Sequence, residues 1–170
     1  VSLEHKMGLH GSPTAVMQYE GATGWLIGQP NDGLRAMFTM MNNARLGVGG
    51  QGIGVAEAAF QHATDYALNR KQGKATVPNA HGSIIDHADV RRMLISMRAD
   101  IFASRSLELE NAKAIDMANA TEEIEWVNRA AFLTPITKVF GTEIGVNISY
   151  LGVQIHGGMG FIEETGAAQF

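Results

Sequence analysis

Apolar and polar positions follow two different rhythms along this chain, and the change falls near residue 30. Ahead of it, Gly8, Gly11, Pro13, Gly21, Gly24, Gly28 and Pro30 cut the sequence into short segments. Two of these, residues 15–19 and 24–27, are strand-sized, and residues 20–23 between them carry a turn glycine, so the pattern predicts a hairpin. A lone hairpin is only marginally stable in water. These strands are therefore expected to belong to a larger sheet outside the chain.

From Asp32 onward the spacing of three and four takes over. Leu34, Met37, Phe38, Met41, Ala44 and Arg45 recur in that register behind Asp32 as an N-cap. The pattern predicts a helix to about Arg70, ended by Gly73 and Pro78. A second helix is expected after Asp86, with Val90, Leu94, Met97, Ile101 and Leu107 or Leu109 on one face, running to about Ala118. Asn119 followed by Glu122 resembles a capping box for a third helix. Pro135 should kink or restart that helix, because proline lacks the amide donor and clashes with the preceding turn. Helical residues then continue to His156, where Gly157 and Gly158 break them. Helices of roughly 30 residues joined by short loops pack as an antiparallel up-and-down bundle. The expected architecture is mainly α, with a β segment over residues 1–30 and a helical bundle domain over 31–170.

Composition narrows the class. With 45% hydrophobic and 18% charged residues, enough apolar surface exists to offset chain entropy, which excludes a disordered segment. A net charge of −4 argues against a general nucleic-acid binder. No uninterrupted apolar run of the ~20 residues a bilayer span needs occurs. The absence of cysteine excludes disulfides, thiolate catalysis and thiolate-bound zinc within these residues. Val1 at the start and an unpunctuated end at Phe170 lead us to expect a piece of a longer protein.

Gly47, Gly49 and Gly52 match the G-x-G-x-x-G pattern, but a dinucleotide fingerprint needs a strand before it and a helix opening on it. Here Gly47, Gly50, Gly54 and Ala58 lie inside a helical pattern at three- and four-residue spacing and read as a smooth ridge. Each helical glycine costs about 1 kcal/mol, so another helix or a ligand must come close there. The six histidines include no H-E-x-x-H pair and none has Glu three residues before it, so no metal site is expected. His87 and His156 stand apart from the others at helix ends. Glu122, Glu123 and Glu125 suit a helix start without any acid–base role. Arg91 and Arg92 beside Asp86 and Asp89 read as a solvated face. Arg45 falls in an apolar, glycine-rich stretch and must find an anion or carbonyl partner; a structural ion pair and a ligand contact both remain open. Arg70-Lys71-Gln72-Gly73-Lys74 is either a basic helix end facing the negative dipole terminus or a phosphate clamp.

Taken together, these residues resemble the flavin-dependent acyl-CoA dehydrogenases over essentially the whole chain. His5-Lys6-Met7-Gly8-Leu9-His10-Gly11-Ser12 through Gly28 is similar to the last strands of that family's middle β-domain. Ala44-Arg45 with the small-residue helix, Tyr66-Ala67-Leu68-Asn69-Arg70-Lys71-Gln72, and Val153-Gln154-Ile155-His156-Gly157-Gly158-Met159-Gly160-Phe161 are similar to motifs of its C-terminal helical domain. The wording of residues 7–14 and 37–42 is nearest to a bacterial branch of longer chains that includes dehydrogenases of a methylthio-substituted acyl-CoA.

The resemblance implies α,β-dehydrogenation of an acyl-CoA thioester to the trans-2-enoyl-CoA, with FAD as cofactor and an electron-transferring flavoprotein as acceptor. It implies a cytoplasmic homodimer or homotetramer. Arg45 matches a substrate-binding arginine. Arg70 and Gln72 match residues that hold the FAD diphosphate of a neighbouring subunit, and Gln154, Gly157 and Gly158 match the FAD-contacting turn. His87 aligns with a histidine near the cofactor in some members. The aromatic and glycine that usually follow the basic motif are replaced by Gly73 and Lys74. No catalytic residue is expected in this chain: the family's usual Tyr-Glu-Gly-Thr base would follow Phe170, and the alternative position beside the substrate arginine is Ala44. The isolated chain is therefore expected to be inactive. Arg45 and the twin-glycine turn are expected to border one cavity. The rival readings are a non-enzymatic helical interaction module and an acyl-CoA oxidase.

Overall fold

The computed structural model describes residues 2–170, which divide into two compact units, one ending at Ala36 and the other Met37–Phe170. In the first unit, β1 (Ser2–Leu3) pairs antiparallel with β2 (Ala15–Val16), Ser2 opposite Val16 and Leu3 opposite Ala15. The expected hairpin is thus corrected. Residues 15–16 do form a strand, but their partner lies upstream, and residues 24–27 join no ladder. Short strands exposed on both faces carry no hydrophobic register to choose between partners, and Leu3, Val16, Trp25, Leu26 and Ile27 are all exposed.

Three long helices follow: α1 (Gly33–Asn69), α2 (Ala88–Thr121) and α3 (Ile124–His156). Asp32 directly precedes α1, where its carbonyl accepts the Ala36 N–H and its carboxylate pairs with Arg35. The α2–α3 corner differs from the expected capping box. Asn119 lies inside α2, Glu122 turns the chain at φ 58°, and the Glu123 N–H donates to Thr121 Oγ1 at 3.3 Å. α3 runs through Pro135 without restarting. It ends where foreseen, with Gly157 at φ 61° and its N–H on the Gln154 carbonyl. No helix among the described residues is long and apolar enough to cross a membrane.

The core lies between the helices, and the share that α1 contributes is built largely of small residues. On α1 the buried face is Gly49, Ile53, Ala56, Ala59, Ala63 and Ala67. It meets Leu94, Met97 and Ile101 of α2 and Ile144, Ile148 and Ile155 of α3. α1 and α3 rise side by side: Gly49 faces Thr137, Gly52 faces Gly141, and Ala59 faces Gly152. A Cβ on Gly52 would stand 2.2 Å from the Gly141 carbonyl oxygen, so the two backbones touch there. The predicted ridge is therefore shifted around the helix. Gly47 and Gly54 face open space, and Gly50 meets only the Glu108 side chain. Arg105 to Glu57 (2.9 Å) ties α2 to α1, and Arg129 to Glu110 (2.6 Å) ties α3 to α2. On α2 the expected apolar face continues as Ser104, Asn111 and Ala114, while Leu109 is exposed.

Candidate functional site

The chain between α1 and α2 folds around one buried carboxylate. Asp86, only 3% exposed, closes a 3-10 turn (Ile84–Asp86) and accepts the backbone N–H groups of His81 (2.7 Å) and Gly82 (3.0 Å). Its other oxygen meets Arg91 at 3.3 Å. Asp86 thus belongs to the interior and not to a solvated face, because buried backbone donors need an acceptor. Arg92 and Asp89 do pair on the surface. The Ile84 N–H donates to the Arg70 carbonyl at 2.8 Å, Lys71 bridges Ser83, and His87 Nε2 donates to the Gln72 carbonyl at 2.9 Å. Residues 70–72 are in this way pinned against the start of α2. Gly73, at φ +69°, passes so close to the His87 ring that a side chain would crowd it.

This pinning shapes a recess of about 740 Å³ lined by Tyr66, Arg70, Gln72, Gly73, Ile84, His87, Val90, Ile155, His156, Gly157, Gly158 and Met159. Four of the residues matched to the FAD site, Arg70, Gln72, Gly157 and Gly158, therefore share one wall system. Arg70 Nη2 donates to Gln72 Oε1 at 3.1 Å. A guanidinium and a carboxamide beside a glycine turn free of side-chain cover suit a diphosphate: nothing lies within 4 Å of where a Cβ would stand on Gly157 or Gly158, although the Gly157 N–H is already spent on the Gln154 carbonyl.

Two matched residues stay outside. The Gln154 side chain is exposed and does not line the recess. Arg45 sits on α1, 25 residues before Arg70, which is about 37 Å of helix. The expectation of a single cavity bordered by Arg45 and the glycine turn fails for this chain. Arg45 is half-buried, and Asn42 Oδ1 accepts its Nη1 at 3.1 Å; no carboxylate among the described residues pairs with it. Its partner is thus a neutral amide and not the ion pair considered above.

Tyr66, Ile84, Val90 and Met159 also line the recess, and sequence reasoning had named none of them as a site residue. Tyr66 was visible as the residue one turn before Arg70 on the same helix face. The others depend on how the loop closes. His156, which the sequence marked only by its place at a helix end, is 4% exposed and donates from Nδ1 to the Gly152 carbonyl at 2.7 Å. Burial holds its pKa below the ordinary 6.5; the Gly152 carbonyl opposes this and the nearby His62 adds to it.

The profile of the family described as "Acyl-CoA dehydrogenase, C-terminal domain" matches residues 31–170. A 3-methylmercaptopropionyl-CoA dehydrogenase of Ruegeria pomeroyi is 51% identical over 175 aligned residues, covering 100% of this chain and 30% of that protein. The caffeyl-CoA reductase–Etf complex subunit CarC of Acetobacterium woodii is 33% identical, over 95% of this chain and 39% of its own length. Among solved structures, the butyryl-CoA dehydrogenase of Megasphaera elsdenii superposes with a TM-score of 0.67 at 25% identity, over 84% of this chain and 33% of its own. The chain thus spans about a third of the length of the relatives it matches.

Proposed function

Because this chain belongs to the acyl-CoA dehydrogenase family, as a part of its C-terminal helical domain, we propose that the protein carrying it is an FAD-dependent acyl-CoA dehydrogenase. In this reading it converts an acyl-CoA thioester to the trans-2-enoyl-CoA in the cytoplasm and passes the electrons to an electron-transferring flavoprotein. The observation that carries the proposal is the convergence of Arg70, Gln72, Gly157 and Gly158 on one recess. Bound FAD would supply the hydride acceptor that no side chain provides.

This chain's residues would bind and orient. Arg70 offers a planar fork of donors to diphosphate oxygens, Gln72 an amide, and the glycine turn a backbone surface that no Cβ keeps the ligand from approaching. Tyr66, Ile155 and Met159 give the recess an apolar floor that strengthens those contacts by displacing water. Arg45, on the same helix but about 37 Å away, would serve the acyl-CoA. That separation suits an assembly in which the recess receives the FAD diphosphate of a neighbouring subunit, so that one helix serves two active sites and the enzyme is a homodimer or homotetramer. The base is a glutamate outside these 170 residues, and Ala44, beside Arg45, has no group that could replace it. The chain by itself would then neither retain FAD nor oxidise a thioester.

The test uses the full-length protein, a panel of short, medium, long and sulfur-containing acyl-CoA thioesters, and an artificial electron acceptor. Wild type is expected to carry flavin absorbance and to reduce the acceptor with at least one thioester. Arg70→Ala should weaken FAD retention by about tenfold or more, the worth of a charge-assisted hydrogen bond. A flavin-free wild-type protein that turns over none of the panel would end the proposal.

A further inference from the structure

His62 lies on α1, four residues before Tyr66 and eight before Arg70, on the same face of the helix and outside the recess lining. Its Nε2 is 2.7 Å from the Thr165 carbonyl, a residue 103 positions away. A carbonyl only accepts, so this nitrogen carries the hydrogen. Thr165 in turn is tied backward along the chain: its hydroxyl lies 2.8 Å from the Met159 carbonyl and 2.9 Å from that of Ile162. Met159 is part of the recess wall, next to Gly157 and Gly158.

Two further features stiffen this path. Gly160 is packed so tightly that a Cβ would stand 2.4 Å from the Val153 carbonyl oxygen, which seats the segment on the end of α3. The His156 ring, immediately before the glycines, stacks on both α1 rings, at 4.9 Å from His62 and 4.2 Å from Tyr66. His156 does this at a cost, because its Nε2 is buried without a hydrogen-bond partner. The two walls of the recess, Tyr66 and Arg70 on one side and residues 157–159 on the other, are thereby joined twice, by the His156–Tyr66 stack and by the His62 hydrogen bond to Thr165.

We propose that His62 is a positioning residue for the recess: its hydrogen bond to Thr165 fixes the Gly157 and Gly158 turn against α1 without touching the bound ligand. The proposal rests on the reading of the recess as an FAD diphosphate site only for the identity of the ligand. The tether itself is a property of the chain.

Two variants of the full-length protein separate the hydrogen bond from the ring stack. His62→Gln keeps an amide donor and loses the ring; His62→Phe keeps the ring and loses the donor. Amide hydrogen exchange over residues 159–170 and FAD affinity by flavin fluorescence are the two readouts. His62→Phe should raise exchange in that segment by about fivefold to tenfold and weaken FAD by a similar factor, as loss of one net hydrogen bond predicts. His62→Gln should restore both to near wild type. Unchanged exchange in His62→Phe, or a wild-type-like Phe variant beside an impaired Gln variant, would overturn the tether. If the wild-type protein binds no FAD, the functional reading fails while the exchange comparison still decides the tether.

Discussion

The two ends of α1 carry apolar residues at similar density and finish in opposite states. Over residues 37–48, Met37, Phe38, Met40, Met41 and Val48 remain exposed. Over residues 49–67 the helix buries Gly49, Ile53, Ala56, Ala59, Ala63 and Ala67, which are mostly smaller and individually less hydrophobic. Burial here follows the partner and not the side chain. Glycine and alanine let α3 approach until backbone meets backbone, and the dispersion gained over that seam outweighs the poor helix propensity of its glycines. The large residues of the other end have no such neighbour among the described residues. The recess forms at the seam end, where the loop around Asp86 and the turn after α3 both close on α1.

The same substitution placed at each end would sharpen this contrast most. Gly52→Ala puts a Cβ 2.2 Å from a backbone carbonyl oxygen and should destabilise the fold by about 3 kcal/mol or more, since backbone cannot step aside as a side chain does. Chemical denaturation followed by helical circular dichroism measures it. A wild-type midpoint for that variant would show that the seam is looser than described.

A smaller effect concerns pH. His156 has a folded pKa below its ordinary 6.5, chiefly through burial. A depressed folded pKa means that the folded protein disfavours the proton. Its contribution to stability is complete above 6.5 and is lost as the pH falls through the lower folded value. The denaturation midpoint should therefore drop between about pH 7.5 and about pH 5, and His156→Phe should flatten the drop. An unchanged slope in that variant would place the titration elsewhere.

The smallest effect has the opposite sign. Gly47→Ala, in the exposed stretch with nothing within 4 Å, should stabilise the chain by about 0.5–1 kcal/mol by restoring helix propensity. Were it to destabilise, the exposed end would have a close neighbour after all.

The sequence by itself settled whatever is decided by neighbours along the chain. The start and end of α1, the start of α2 and the end of α3 were legible because Gly73, Gly157 and the residues before α1 act within one or two turns, whereas the α2–α3 corner was misplaced by a few residues. The family motifs were legible because residue order and spacing survive without coordinates. Arg70 and Gln72, two positions apart, and the adjacent Gly157 and Gly158 could be grouped for the same reason. Only the tertiary structure decided which of two glycine ridges faces α3, that residues 15–16 pair upstream and not downstream, that Asp86 is an interior acceptor, and that Arg45 stands a helix length from the recess. Each of these turns on an encounter between residues distant in sequence, whose free energy depends on a geometry that no local spacing encodes. His62 is the sharpest case: an unremarked polar residue in an alanine-rich helix, given its place by a carbonyl 103 positions away.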